Sequence, residues 1–284
     1  MNAPVIVVRP PAGTPPLPLV FDSPHSGLDY PADMQPALAM DILRRSEDAF
    51  VDGMFGDVPM LGAVLIKATF PRCYIDPNRT TEDIETAALA DEWPGPVTPS
   101  IKTGRGTGLV WTKIGGQHPI YDRKLTAAEV QGRIDGYWRP YHDALDAETD
   151  RLHAAFGGLW HVNCHSMPAR GDDTTEDGPV DRADFVLGDR DGTTCDGAFT
   201  ESVRDFLAGR GYDVAVNWPM KGVELVRRHG RPAENRHSLQ IEINRRLYMD
   251  ETAIARNGLY AETAAVLADM NAVIADYVRA HAAV

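Results

Sequence analysis

The chain has 284 residues, 43% hydrophobic and 24% charged, with 41 acidic against 28 basic side chains and a formal net charge of −13. That composition can bury a full core and suits one α/β domain spanning residues 1–284. The acidic balance argues against nucleic acid or an anionic membrane as a partner, because binding phosphate takes basic patches, yet it leaves room for a small anionic substrate held by local arginines.

The Pro-containing lead from Met1 to Pro18 lacks the basic head and apolar stretch of a secretory signal, and no apolar run approaches the ~20 residues of a membrane helix. Together with Cys73, Cys164 and Cys195, an odd set without a Cys-x-x-Cys pair, this suggests a soluble protein of a reducing, cytoplasmic compartment. A strand is expected at 17–22, ending at Pro24-His25-Ser26-Gly27. Leu38, Ile42, Phe50, Val51 and Met54 give an interrupted apolar face, so 34–55 reads as helical. A strand over 63–69 and the run Cys73-Tyr74-Ile75 lead to Asp76-Pro77-Asn78-Arg79. Residues 80–116, rich in Gly, Pro, Thr and acids, read as a long functional cover or loop. Ile134, Tyr137, Tyr141, Leu145 and Leu152 recur at helical spacing within 129–156, the longest expected helix, which Gly157-Gly158 stops.

Leu159-Trp160-His161-Val162 then reads as a buried strand leading to Asn163-Cys164-His165-Ser166-Met167, followed by an exposed loop over 169–181. Strands are expected at 184–188 and 214–216, with a helix through Val203, Phe206 and Leu207 between them that ends near 209–211. Ser238 to Asn244 alternates apolar with polar, which puts Gln240, Glu242 and Asn244 on one face of a strand, and a closing helix carries Val266, Met270, Ile274 and Tyr277. Alternating strand and helix signals predict a three-layer α/β/α sandwich.

Two histidines, His25 and His165, thus stand at the ends of apolar strands, where α/β proteins collect reacting groups, and a metal ion is the simplest thing for them to share. A hydrolytic site adds an acid as third ligand; a His-x-x-Glu pattern would need Glu where Leu28 stands, leaving Asp29, Glu47, Asp48 and Asp52 open. Ser46-Glu47-Asp48 reads equally well as a helix start with Ser46 as cap. Glu242 is a candidate base, or else a strand carboxylate paired with Arg245 or Arg246, and Arg79 is a candidate fork for a substrate carboxylate, or else a surface cation. Ser26 and Ser166 lack the Gly-x-Ser-x-Gly elbow of serine hydrolases.

Pro24-His25-Ser26-Gly27 with Tyr30-Pro31, Glu47-Asp48 with Val51-Asp52, Asp76-x-Asn78-Arg79, Gly108-Leu109-Val110-Trp111, Cys164-His165-Ser166 and Gln240-Ile241-Glu242-Ile243-Asn244-Arg245 with Leu247-Tyr248-Met249-Asp250 together resemble the N-formylglutamate amidohydrolases, in order and over nearly the whole chain. The resemblance implies a phosphorylase/hydrolase-like sandwich with a mixed, largely parallel sheet, related to the zinc carboxypeptidases. It also implies metal-dependent hydrolysis of N-formyl-L-glutamate to formate and glutamate, a last step of histidine degradation. On that resemblance His25, Asp48 and His165 are the metal ligands, with Zn2+ the expected ion, and Glu242 is the catalytic carboxylate. Asn78 and Arg79 hold a substrate carboxylate, and Arg228 and His237 are further substrate-binding positions. A hydrolase of another N-acyl or N-formimidoyl amino acid, or a non-catalytic binder of acidic amino acids, is the alternative; either leaves room for a homo-oligomer.

Overall fold

Short apolar, β-branched runs between turn residues become seven strands of one sheet. A computed structural model describes residues 3–282. The strands are β1 (Val5–Val8), β2 (Leu19–Ser23), β3 (Val64–Ala68), β4 (Leu159–Met167), β5 (Phe185–Gly188), β6 (Val214–Val216) and β7 (Arg236–Asn244). Their order is β1-β3-β2-β4-β7-β5-β6. The central strands β3, β2, β4 and β7 run parallel, β1 and β5 pair antiparallel with β3 and β7, and β6 is parallel to β5. The sheet is therefore mixed, as expected.

Side chains alternate across the sheet and divide the interior in two. Phe21, Val162, Cys164, Leu239 and Ile241 face α3 (Gly197–Gly209) and α5 (Tyr260–His281), where they meet Phe199, Val203, Leu267, Met270 and Ile274. On the other face lie α1 (Ala127–Arg133) and α2 (Arg139–Phe156), joined by a π turn at Ile134–Trp138, with Tyr141, Leu145 and Leu152 packed against Val20, Ile66 and Leu159. This makes three layers. All nine residues of β4 and all nine of β7 are buried, yet the second face carries polar groups at their centre: His161, Asn163 and His165 on β4 opposite Ser238, Gln240 and Glu242 on β7. Buried polar residues persist only when they are hydrogen-bonded or held for chemistry, so this face is where the site belongs.

The long helix begins at Ala127 behind a reciprocal cap, in which the Thr126 side chain accepts from Glu129 N and the Glu129 side chain accepts from Thr126 N. It ends at Gly157, whose φ of +69° is left-handed. The helix expected over 34–55 does not form. That stretch breaks into separate turns, including Met40–Leu43 and Val51–Met54, because Phe50 takes a φ of +68° and Glu47 is extended. Ser46 caps nothing; its hydroxyl donates to Leu43 O at 2.7 Å. Strand β1 was not anticipated, and β4 continues through His165 instead of turning before it. Among the described residues no helix is long and apolar enough to cross a membrane.

Candidate metal centre

His25 leaves the carboxyl end of β2 where the chain must pass tightly under Phe70; a Cβ on Gly27 would lie 2.3 Å from Phe70 O, so only glycine fits there. His165 lies near the carboxyl end of the neighbouring β4, in register with Glu242 on β7. Asp48 reaches them from the extended link between helical turns, because its backbone N–H donates to His25 O at 3.0 Å and the Ser26 hydroxyl donates to its carbonyl at 2.8 Å.

These three side chains converge. His25 Nδ1 is 3.3 Å and His165 Nδ1 is 3.1 Å from Asp48 Oδ2, the imidazole centroids are 4.7 Å apart, and each residue is at most 2% exposed. Edges of that length match a tetrahedral site whose metal–nitrogen and metal–oxygen bonds are ~2.0–2.2 Å. The donor set, two imidazole nitrogens and one carboxylate oxygen, suits a borderline divalent ion. It is the one such group among the described residues. Of the other acids left open, Glu47 accepts from Tyr30 Oη at 2.9 Å and Asp52 pairs with Lys67 at 3.0 Å.

Each ligand is oriented from behind. His25 Nε2 lies 2.8 Å from Asp76 Oδ1. Burial opposes ionisation of Asp76, but Arg72, His25 and Arg79 outweigh it and hold the carboxyl well below its usual range. Asp48 behaves alike: burial raises its pKa, while hydrogen bonds from His165 and His25 and the charge of Arg72 bring it well below the ordinary value. Its Oδ1 accepts from Arg245 Nη2 at 3.1 Å. His165 Nε2 is 2.7 Å from Asn163 Oδ1.

Glu242 does not make the ion pairs that its neighbours suggested. Arg245 serves Asp48, Glu47 O and Ser166, and Arg246 pairs with Asp184, while Glu242 accepts from Gln240 Nε2 at 3.0 Å. Burial first, countered by His165 and reinforced by Asp48, raises its pKa. Asn78 and Arg79 arrive from the turn after Asp76: Asn78 Nδ2 is 3.3 Å from His165 Nε2, and Arg79 is anchored to Thr107 O at 3.1 Å and Asn78 O at 2.9 Å. Arg79 is thus a buried site cation, its Nη2 3.8 Å from Asp76.

Arg228 and His237 are not brought to this cluster. Arg228, on α4 (Glu224–His229), pairs with Asp146 of α2. His237 is the second residue of β7, stacked on Trp160 with centroids 5.2 Å apart, five residues and therefore ~16 Å of strand before Glu242. Sequence reasoning missed Arg72, which spans Asp76 at 3.0 Å and Asp48 at 3.7 Å beneath its cation–π contact with Trp111, and assigned no role to Asp76; only the four-residue spacing of Arg72 and Asp76 hints at their pairing.

A three-layer α/β protein with two histidines and a carboxylate converging at the carboxyl end of its sheet, beside a buried glutamate, has the layout of a single-metal hydrolase. The family model for N-formylglutamate amidohydrolase matches residues 17–249, and the chain belongs to that family. It is 28% identical over 240 residues to an N-formylglutamate deformylase of Pseudomonas putida, covering 83% of each chain. It is 26% identical over 241 residues to one of Pseudomonas aeruginosa, covering 84% of each. The crystal structure of N-formylglutamate amidohydrolase from Ralstonia eutropha JMP134 superposes with a TM-score of 0.93 at 48% identity, over 98% of this chain and 99% of that one.

Proposed function

We propose that the protein hydrolyses the formyl amide of N-formyl-L-glutamate to formate and glutamate, using a divalent metal, zinc by its donor set, at His25, Asp48 and His165. The observation that carries this reading is the convergence of His25 Nδ1, His165 Nδ1 and Asp48 Oδ2 beside Glu242, in a chain whose relatives are named deformylases and amidohydrolases of this substrate. A bound ion would supply Lewis acidity, polarising the amide carbonyl and acidifying water.

The chain's own residues do the rest. Glu242 takes a proton from the attacking water as the C–O bond forms, then gives it to the nitrogen as the C–N bond breaks, so its base strength, raised by burial, suits both halves of the task. Asp76 and Asn163 hold the two imidazoles in place. Arg79 and Arg72 supply positive charge for a substrate carboxylate. Three free, buried cysteines accord with work in the cytoplasm, where a formylated glutamate from histidine breakdown is the fitting substrate.

The test is hydrolysis of N-formylglutamate, N-formylaspartate and N-acetylglutamate by purified protein, with and without chelator. Formate release should be fastest with N-formylglutamate and should stop on chelation, and Glu242→Gln should retain the metal while losing roughly 100-fold or more in kcat. Chelator-insensitive turnover, or parental turnover by Glu242→Gln, would overturn the mechanism; preference for another substrate would overturn the specificity.

A further inference from the structure

We infer that Lys102 recognises the side-chain carboxylate of the substrate and so sets the preference for an acidic over a neutral formyl amino acid. The inference rests on the proposed function and refines it. N-formylglutamate carries two carboxylates separated by three carbons, and the guanidiniums beside the metal centre are largely committed to the protein's own groups.

Arg79 donates from Nε to Thr107 O and from Nη1 to Asn78 O, which leaves Nη2 as its uncommitted nitrogen. Arg72 donates from Nε and Nη2 to Asp76, and its Nη1 stands 3.7 Å from Asp48. Arg245 is taken by Asp48, Glu47 O and Ser166. The free nitrogens of Arg79 and Arg72 both lie beside the carboxylates that back the metal centre, so they suit the substrate carboxylate nearer the amide. The farther one calls for a cation of its own.

That cation stands on the 80–116 segment, at the helical turn Ile101–Gly104. The segment folds back on the turn that carries Asp76 and Arg79: Asp76 N donates to Leu109 O at 2.7 Å, and Leu109 N donates to Asp83 O at 2.8 Å. Asp83 in turn accepts from Ser100 N at 2.7 Å and from Ser100 Oγ at 3.0 Å, which pins the start of the helical turn. A Cβ on Gly108 would lie 2.7 Å from Asp83 O, so the packing there is as close as glycine allows. Thr107 closes the circuit. Its carbonyl accepts from Arg79 Nε at 3.1 Å, while its N–H and its hydroxyl donate to Lys102 O at 2.9 and 3.1 Å. One residue thus bridges the backbone of Lys102 and the guanidinium of Arg79.

The Lys102 side chain takes no part in these bonds. The residue is half-buried, and among the described residues its ammonium has no hydrogen bond and no carboxylate within 4.0 Å. Burial first, then the charge of Arg79, with Arg105 and Arg72 adding to it against the pull of Glu176, brings its pKa down to about 8. It therefore remains mostly charged at neutral pH, unpaired, in a chain with 41 acidic against 28 basic side chains. An ammonium drawn out of water is unfavourable until an anion pairs with it, and a carboxylate arriving beside the Arg79 guanidinium is that anion. Lysine reads charge without demanding a bidentate fit, which suits the end of a flexible side chain.

The test compares N-formyl-L-glutamate with N-formyl-L-glutamine, which has the same shape and no side-chain charge, in the parent and in Lys102→Met. Methionine keeps an apolar stem and removes no bond that holds the turn. The parent should prefer the glutamate compound. Lys102→Met should lose roughly 10- to 100-fold in kcat/KM on it, mostly through KM, and stay within about twofold of the parent on the glutamine compound. An equal loss on both compounds would make Lys102 a scaffold residue and overturn the inference, as would an unchanged preference or a parent that has none. A parent that releases no formate from either compound overturns the proposed function instead. Glutarate binding by calorimetry then decides Lys102 separately: weaker binding by Lys102→Met supports the assignment, and equal affinities, or no binding by the parent, overturn it.

Discussion

His142 shows how one buried ring couples the site to acid stability. It stacks on Trp138 with centroids 3.8 Å apart, and its Nε2 donates to Pro77 O at 2.8 Å, in the turn that carries Asp76, Asn78 and Arg79. Burial, the largest cause, pushes its pKa down to about 4. A histidine in the unfolded chain takes its proton near pH ~6.5, so the unfolded state binds more protons between these values and stability rises with pH across them. The stabilisation is present above about pH 6.5 and is lost as pH falls toward 4, a swing on the order of 3 kcal/mol. Urea midpoints should fall over that window and fall less in His142→Gln, which keeps the donor to Pro77 O; an equal slope in the variant would refute the assignment. Legibility at this scale follows backbone position. His25, His165 and Glu242 were readable because strand ends and strand alternation place them, whereas the Asn78-Arg79 pair sits in a turn and stood out only through the Asp76-x-Asn78-Arg79 motif. Arg72 was not, since a cation in a turn looks the same whether it faces solvent or two buried carboxylates. His237 stands just before the Ser238–Asn244 run, and because the strand begins at Arg236 it is held at the far end of β7 from Glu242.

Elements were readable where a single period ran uninterrupted. The rod that ends at Gly157 is the clearest case, since its apolar stripe and its stop were read, although a start set at 129 passed over the cap at Thr126, and the π turn at Ile134–Trp138 left no signal. Thr126→Ala removes one side of the reciprocal cap and should cost about 1 kcal/mol, read as a lower midpoint with unchanged kcat. A midpoint within error of the parent would show that the cap is replaced by solvent. The 34–55 stretch misled because apolar spacing reports burial without reporting continuity. Of the residues read as that face, Val51 and Met54 are buried and Leu38, Ile42 and Phe50 half-buried, but the backbone between them is broken, and the extended link at Glu47 is what allows Asp48 to reach inward. Strand β1 lay hidden because four residues flanked by prolines offer too short a period to count.

At the scale of the molecule, the proposed ion would join the end of β2, the 44–50 link and β4, segments far apart in sequence. A ligand that binds only the folded state adds stability by mass action, ~2.7 kcal/mol when its free concentration is 100 times Kd. For a chain of this size that corresponds to roughly 5–10 °C in Tm. Thermal unfolding should therefore shift downward on chelation and recover with Zn2+, and His165→Ala should abolish the difference. An unshifted transition in the parent would mean that no ion bridges these segments. The three-layer arrangement was legible from alternating strand and helix signals. The order of strands was not, because register and neighbour choice are decided by contacts between residues far apart in the chain, 77 positions for Leu159 and Arg236 and 141 for Leu19 and Trp160.

That order has a consequence for how the protein is made. β7 lies between β4 and β5, although it is the last of the seven strands in the chain. Until residue 244 has cleared the ribosome, β4 and β5 each present an open hydrogen-bonding edge, and a wide apolar surface waits for Leu239, Ile241 and Ile243. Synthesis at ~5–20 residues per second makes that a wait of several seconds between β4 and its partner, during which a nascent chain is vulnerable to annealing with its neighbours. The strand that finally fills the gap also carries Glu242, so the growing chain gains the proposed base and closes the centre of its sheet in one event.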